Sequence, residues 1–332
     1  MARRVKSSRS VWRYGLLALI AGLVWTAYAA LRVPSVATPY EFRIREGQGL
    51  AGVAHALTES GRVGPAWLMT AIGRLNGTAA RVVPGIYRVE QPLSLLGLLN
   101  KIAAGDRLRV RVTLVEGWNL RQVRAELTNN GYLAQDSAEL SDAVLAQSLN
   151  LAATSPEGML FPDTYWVDAG SSDLQLLIAA ARLMRERLDA AWKTRAPNLP
   201  YRTPYEALVM ASIIEKETGQ GVERPQIAAV FVNRLKMGMA LQTDPTVIYG
   251  LGQAFDGNLR RADLQRDTPW NTYTRPGLPP TPIALPGAAA IDAALHPAES
   301  KALYFVARGD GYHVFSDNLN AHNRAVRQYQ RK

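Results

Sequence analysis

Met210-Ala211-Ser212-Ile213-Ile214-Glu215-Lys216-Glu217-Thr218 is an apolar run that ends abruptly in two carboxylates placed two residues apart. Successive helical residues turn by about 100°, so Glu215 and Glu217 point to nearly opposite sides and do not make a carboxylate pair. Glu217 follows Ile214 at i+3, Ile213 at i+4 and Met210 at i+7, which places it on the apolar arc of the helix. Desolvation there favours a neutral carboxyl, the state a general acid needs near pH 7. Glu215 stands as the alternative acid, and the plainest reading of both is a helix end with two solvated glutamates. Acidic residues in a last turn oppose the helix dipole, so the pair calls for a reason.

The helix begins near Thr203-Pro204, an N-cap followed by proline at the first helical position. Amphipathic patterns predict further helices over 137–149, 173–194 and 224–237. Residues 302–307 and 312–315 flank Arg308-Gly309-Asp310-Gly311, a hairpin signal, and Asp317 caps a last helix running to Tyr329. Between these, 250–286 carries six prolines with Trp270, Asn271 and Tyr273, and reads as a long loop shaping a groove wall.

Toward the N-terminus, Leu108 to Leu114 alternates as a strand with its arginines on one face, and Glu116-Gly117-Trp118-Asn119-Leu120 opens a helix. Residues 41–44 form a strand, a helix through Leu50, Val53, Ala54 and Leu57 ends near Gly61, a second helix covers 65–75, and 84–89 is a returning strand. This strand, helix, helix, strand unit resembles the LysM-like module of cell-wall proteins; a plain spacer domain has the same pattern. A helix over 94–103 follows it. Tyr14 to Leu31 is uncharged and long enough to span a bilayer, and the basic residues Arg3, Arg4, Lys6, Arg9 and Arg13 precede it. That asymmetry predicts a cytoplasmic N-terminus and an exported body. Ala27-Tyr28-Ala29 also fits a signal-peptide cleavage site, the competing reading.

Composition narrows the function. The formal charge is +10, but the five basic residues ahead of the apolar stretch supply half of it, and the chain carries no recognition-helix or zinc-finger pattern. Nucleic acid is not an expected partner. The absence of cysteine excludes disulfides and a thiol nucleophile. The four histidines have no metal-ligand spacing, so neither a metal nor another cofactor is expected.

Several blocks converge on one family. Glu157-Gly158-Met159-Leu160-Phe161-Pro162-Asp163-Thr164-Tyr165, Ala211 to Thr218, Val230-Phe231-Val232-Asn233-Arg234-Leu235, Leu241 to Gly250, Asn271-Thr272-Tyr273 and Gly277-Leu278-Pro279-Pro280 resemble the YceG-like family of endolytic murein transglycosylases. The resemblance implies an α+β chain: a basic cytoplasmic segment over 1–13, a transmembrane helix over 14–31, a linker over 32–40, a LysM-like module over 41–105 and a lysozyme-like catalytic domain over 106–332, of which 106–155 is a connecting subdomain. It implies a single-pass inner-membrane protein with a periplasmic body, cutting glycan strands between N-acetylmuramic acid and N-acetylglucosamine and leaving a 1,6-anhydro end. The partners implied are peptidoglycan strands and the membrane, with peptidoglycan synthases as candidates. Glu217 followed by a hydroxyl residue resembles the Glu-Ser pair of related transglycosylases. Gln242, Thr243, Asp244, Asn271 and Tyr273 are candidates for substrate binding, as polar groups that otherwise cap turns in an irregular loop. Tyr249, Tyr273 and Trp270 could stack on sugar rings or serve as core aromatics, and Asp163 and Tyr165 could line the groove or hold two subdomains together. A hydrolytic muramidase, needing a second carboxylate or a positioned water, and a non-catalytic glycan-binding scaffold are the alternatives.

Overall fold

The structure, a computed structural model, describes residues 8–330, with side chains described from residue 11. The basic residues Arg3, Arg4 and Lys6 lie outside the described residues. The described chain forms thirteen α-helices and six strands in two compact units, one of residues 1–110 with 166–170, the other of 111–165 with 171–332.

The first unit opens with α1 (Ser8–Leu31), whose Val11–Leu31 portion is long and apolar enough to cross a membrane and is almost wholly unburied. After it come β1 (Tyr40–Ile44), α2 (Leu50–Glu59), α3 (Ala66–Leu75), β2 (Gly85–Val89) and α4 (Leu95–Ala103). β1 and β2 pair antiparallel, Phe42 opposite Tyr87 and Ile44 opposite Gly85. The alternation in the β1 sequence sends Tyr40 and Ile44 inward and Glu41 and Arg43 outward. Leu50, Val53, Ala54, Leu57, Met69, Leu98, Leu99 and Ile102 from the helices complete this core. At Gly73 a β-carbon would run into Leu50, so the missing side chain is what lets α2 and α3 close together.

Strands β3 (Arg109–Thr113) and β4 (Thr164–Asp168) pair with each other, and along each of them the chain passes from one unit to the other. β4 has no clear alternation in its sequence, and only its pairing makes it a strand.

The second unit contains α5 (Leu120–Asn129), α6 (Asp142–Ser148), α7 (Asp173–Lys193), α8 (Pro204–Glu217), α9 (Arg224–Lys236), α10 (Asp244–Leu251), α11 (Arg261–Gln265), α12 (Ala288–Leu295), the antiparallel hairpin of β5 (Tyr304–Ala307) and β6 (His313–Ser316), and α13 (Leu319–Tyr329). α6 is shorter than the periodicity predicts, because Ser141 caps it while Ser137 is drawn to Asp173 by two hydrogen bonds of 3.0 and 2.6 Å. α10 and α12 carry no strong sequence signal. α10 starts at Asp244-Pro245, whose proline is preorganised for a first helical turn. α12 is mostly alanine, and those small side chains let it lie against α8.

Thr203 caps α8 by accepting from the Glu206 N–H at 3.2 Å. All eight residues from Ala207 to Ile214 are buried, enclosed by α7, α9, α10 and α12. A helix with no solvent face in its middle turns is a core helix, and an apolar arc cannot be distinguished on it. Gly158, at φ +73, sits where a β-carbon would collide with the ring of Pro282. Gly158→Ala combines a left-handed backbone with a clash against a rigid ring, and is expected to destabilise the protein by about 2–4 kcal/mol. Thermal unfolding reads this as a lower midpoint; an unchanged midpoint would refute the close approach.

Candidate active site

The end of α8 separates the two glutamates. Thr218 leaves the helix with extended dihedrals, φ −140 and ψ 137. The Glu215 side chain is 6% exposed. One of its oxygens accepts from the Arg224 guanidinium at 2.9 Å, the other from the Gly287 N–H at 3.0 Å, just ahead of α12. Burial raises its pKa, while the Gly287 hydrogen bond and Arg224 act to lower it. Both oxygens are committed to holding α9 and α12 against α8.

Glu217 is arranged differently. Its Oε2 accepts from the Thr243 hydroxyl at 2.7 Å, and among the described residues Oε1 has no hydrogen-bond partner. The residue as a whole is only partly buried, yet desolvation of its carboxyl is the largest influence and raises its pKa; the Thr243 hydrogen bond lowers it, Asp244 raises it and His313 lowers it. It borders an open groove of about 480 Å³ shared with Gln242, Asp244, Tyr273, Arg234, Tyr304 and His313. A carboxyl biased toward its neutral form, with one oxygen unpaired and lying at the border of a groove, is equipped to donate a proton.

Of the residues singled out in the sequence, Gln242, Asp244 and Tyr273 line this groove, and Thr243 bonds Glu217 directly. Two segments distant in sequence are joined to bring them there. Gln242 N–H donates to the Thr272 carbonyl, Thr243 N–H to the Thr272 hydroxyl, and Thr246 and Thr272 share a hydroxyl contact of 2.8 Å. Tyr273 donates its hydroxyl to Asp244 at 2.6 Å. Burial, then that bond to a carboxylate, raises the tyrosine pKa. Asn271 is fully buried beneath this surface; its amide donates to the Leu264 and Arg266 carbonyls and its oxygen accepts from the Tyr273 N–H. Asp163 accepts from its neighbour Thr164, and Tyr165 donates to the Phe161 carbonyl at 2.7 Å.

Sequence reading missed Arg234, Glu223 and His313. Arg234 is buried and donates to the Leu303 carbonyl at 2.7 Å and the Leu241 carbonyl at 2.9 Å, fixing the chain on either side of the groove. Next to that anchored turn, Gln242 adopts φ +51, unusual for a residue with a β-carbon. The Asn233-Arg234 dipeptide within an apolar run was the available signal for Arg234. Glu223 and His313 lie 90 residues apart, and nothing local links them.

A second cavity of about 620 Å³ lies in the same unit, lined by Arg121, Lys216, Glu157, Tyr249, Phe255 and Trp270 among others. Glu157 is 4% exposed. Both its oxygens sit 3.1 Å from the Leu120 N–H at the start of α5, and one also accepts from the Tyr249 hydroxyl at 3.0 Å. Burial raises its pKa to about 7 against those hydrogen bonds. It satisfies the open N-terminus of α5 and keeps no oxygen free, whereas Glu217, at the smaller groove, keeps one. Tyr249 and Trp270 meet edge to face at 5.4 Å on the wall of this second cavity. Among the described residues, no group of three or more acidic, histidine or cysteine side chains is placed to hold a metal ion.

Comparison with known proteins agrees with the motif blocks. The sequence profile of the YceG-like family matches residues 42–328, and the chain belongs to that family. It is 34% identical over 262 residues to an endolytic murein transglycosylase of Bacillus subtilis, covering 74% of this chain and 72% of that one. It is 29% identical over 280 residues to an endolytic murein transglycosylase of Streptococcus pneumoniae, of whose length the match spans 50%. The fold is similar to the crystal structure of a YceG-like protein from Listeria monocytogenes, with a TM-score of 0.51 and 27% identity over 86% of this chain and 98% of that one.

Two outcomes follow from the buried glutamates. Glu215→Ala strands the Arg224 guanidinium and the Gly287 N–H, and is expected to cost about 3–5 kcal/mol of stability, measured by denaturant unfolding; full stability with lost activity would restore Glu215 as the acid. Glu157 binds its proton more tightly folded than unfolded. Its contribution to stability is therefore complete below pH 4.5 and is lost as pH rises through about 7, a loss of about 3 kcal/mol. Glu157→Gln should remove that component of the stability difference between pH 5 and pH 8.

Proposed function

We propose that the chain is a membrane-anchored lytic transglycosylase that cleaves peptidoglycan glycan strands internally, between N-acetylmuramic acid and N-acetylglucosamine, with Glu217 as its single general acid and base. The observation that carries this reading is a pKa-raised Glu217 that lines the groove with Oε1 unpaired among the described residues. In the reaction, protonated Glu217 donates to the glycosidic oxygen as the bond from that oxygen to the anomeric carbon breaks. The oxocarbenium centre left behind is captured by the 6-hydroxyl of the same muramoyl ring, whose proton passes to the Glu217 carboxylate. A 1,6-anhydro end forms, the acid is regenerated, and no second catalytic carboxylate or water is consumed. The intramolecular nucleophile also makes the step one of positioning, which the polar groove wall of Gln242, Asp244 and Tyr273 serves by binding sugar hydroxyls and N-acetyl amides.

The remaining parts follow from this reading. Residues 41–105 act as a LysM-like module and 106–332 as a lysozyme-like catalytic domain, with 106–155 connecting them. The helix of 14–31 holds the body on the periplasmic side of the inner membrane, the N-terminus remaining cytoplasmic. There the enzyme trims or terminates nascent strands, with peptidoglycan synthases as candidate partners. A hydrolytic reading has one observation in its favour: Asp244, a second carboxylate, borders the groove that holds Glu217. A glycosidase using both would release reducing ends.

Digestion of purified sacculi followed by mass spectrometry distinguishes these. Wild-type protein is expected to release anhydro-ended fragments, and Glu217→Gln to lower that release by at least about a hundredfold with the fold intact. Undiminished release by the variant would remove Glu217 from the reaction, and predominantly reducing ends from the wild type would establish hydrolysis. Thr243→Val deletes the hydrogen bond that favours the charged carboxyl, so the alkaline limb of the pH–rate profile should move to higher pH; a shift to lower pH would contradict the neutral-acid role.

A further inference from the structure

His313 is an ionisable side chain of this groove held in a fixed orientation by a buried carboxylate. It begins β6, 96 residues beyond Glu217 in the sequence, and lines the same groove. Glu223, just before α9, grips it at two points: the His313 backbone N–H donates to one carboxylate oxygen at 2.9 Å and ring Nδ1 lies 2.8 Å from the other. The two side chains are 13% and 11% exposed. Phe305 meets the imidazole edge to face at 5.3 Å and limits its rotation. A carboxylate only accepts hydrogen bonds, so Glu223 holds a proton on His313 Nδ1, and Nε2 is the ring nitrogen left to meet a ligand. Among the described residues, Nε2 has no hydrogen-bond partner.

A histidine serving only to tie the β5–β6 hairpin to α9 would not need its second nitrogen free beside a groove that also contains the proposed acid. We infer that His313, oriented by Glu223, is a substrate-positioning residue whose Nε2 hydrogen-bonds a hydroxyl of the glycan bound against Glu217. The inference rests on the transglycosylase reading and adds a ligand contact to it. The contact restrains the reacting sugar so that its own 6-hydroxyl, rather than water, reaches the anomeric carbon. Its energetic value lies in orientation, so its loss lowers turnover more than binding.

His313→Asn tests this, because an asparagine amide can occupy the Nδ1 position and keep the bond to Glu223 while deleting Nε2. The full-length variant is expected to unfold within a few degrees of wild type. Its kcat on purified glycan strands should fall by about ten- to a hundredfold with KM changed by less than about threefold, and reducing ends should rise relative to anhydro ends. His313→Gln, whose amide oxygen can reach toward the Nε2 position, should recover part of the rate and of the product ratio. Glu223→Gln should shift both in the direction of His313→Asn. Equal rates and product ratios in wild type and a folded His313→Asn overturn the inference, as does a loss explained wholly by a smaller folded fraction. Failure of the underlying reading is separately visible: wild type would then yield no anhydro ends, or Glu217→Gln would be as active as wild type.

Discussion

The second unit depends on the complete burial of α8. Eight successive residues without water contact fix the helix in place, and the helix then delivers its last turn, with both glutamates, to a position where water is scarce. Desolvation raises the pKa of each. What separates their roles is the supply of compensating groups: Glu215 is given a guanidinium and a backbone N–H, whereas Glu217 is given one hydroxyl. A buried carboxyl with full compensation is a structural clamp, and one with partial compensation is poised to exchange a proton.

The groove around Glu217 is assembled from segments that contribute little individually. Thr243, Thr246 and Thr272 link the start of α10 to the proline-rich loop through short hydroxyl and backbone bonds, and Asn271 secures that loop from beneath. Arg234 reaches from α9 to carbonyls on both sides. These interactions are buried or partly buried, and a buried hydrogen bond is costly to break because its freed partner has no water to turn to. The irregular loop is thereby held with the rigidity expected of regular structure.

Glu157 shows why size alone misidentifies a site. It is more buried than most carboxyls, has a pKa near 7 and borders the larger cavity. Its hydrogen bonds are nonetheless directed at the α5 N-terminus and at Tyr249. A raised pKa follows from burial whatever the purpose, and the presence of a free oxygen decides between a cap and an acid.

Local pattern was enough for much of this protein. Alternation in Tyr40–Ile44, the Thr203-Pro204 start of α8, the Arg308–Gly311 turn and the apolar span ending at Leu31 all correspond to elements of the structure, because each rests on near neighbours in the chain. The motif blocks sufficed for the family, and 100° spacing for the divergence of Glu215 and Glu217. The middle turns of α8 are buried on every side, so the apolar arc alone does not separate Glu217 from Glu215. β4 and α12 were likewise invisible, being stabilised by partners remote in sequence. Only tertiary structure decided which glutamate keeps a free oxygen, and only it brought Glu223 to His313 across 90 residues. Hydrogen-bond satisfaction and desolvation are properties of what surrounds a group in space, and the sequence around a residue does not contain them.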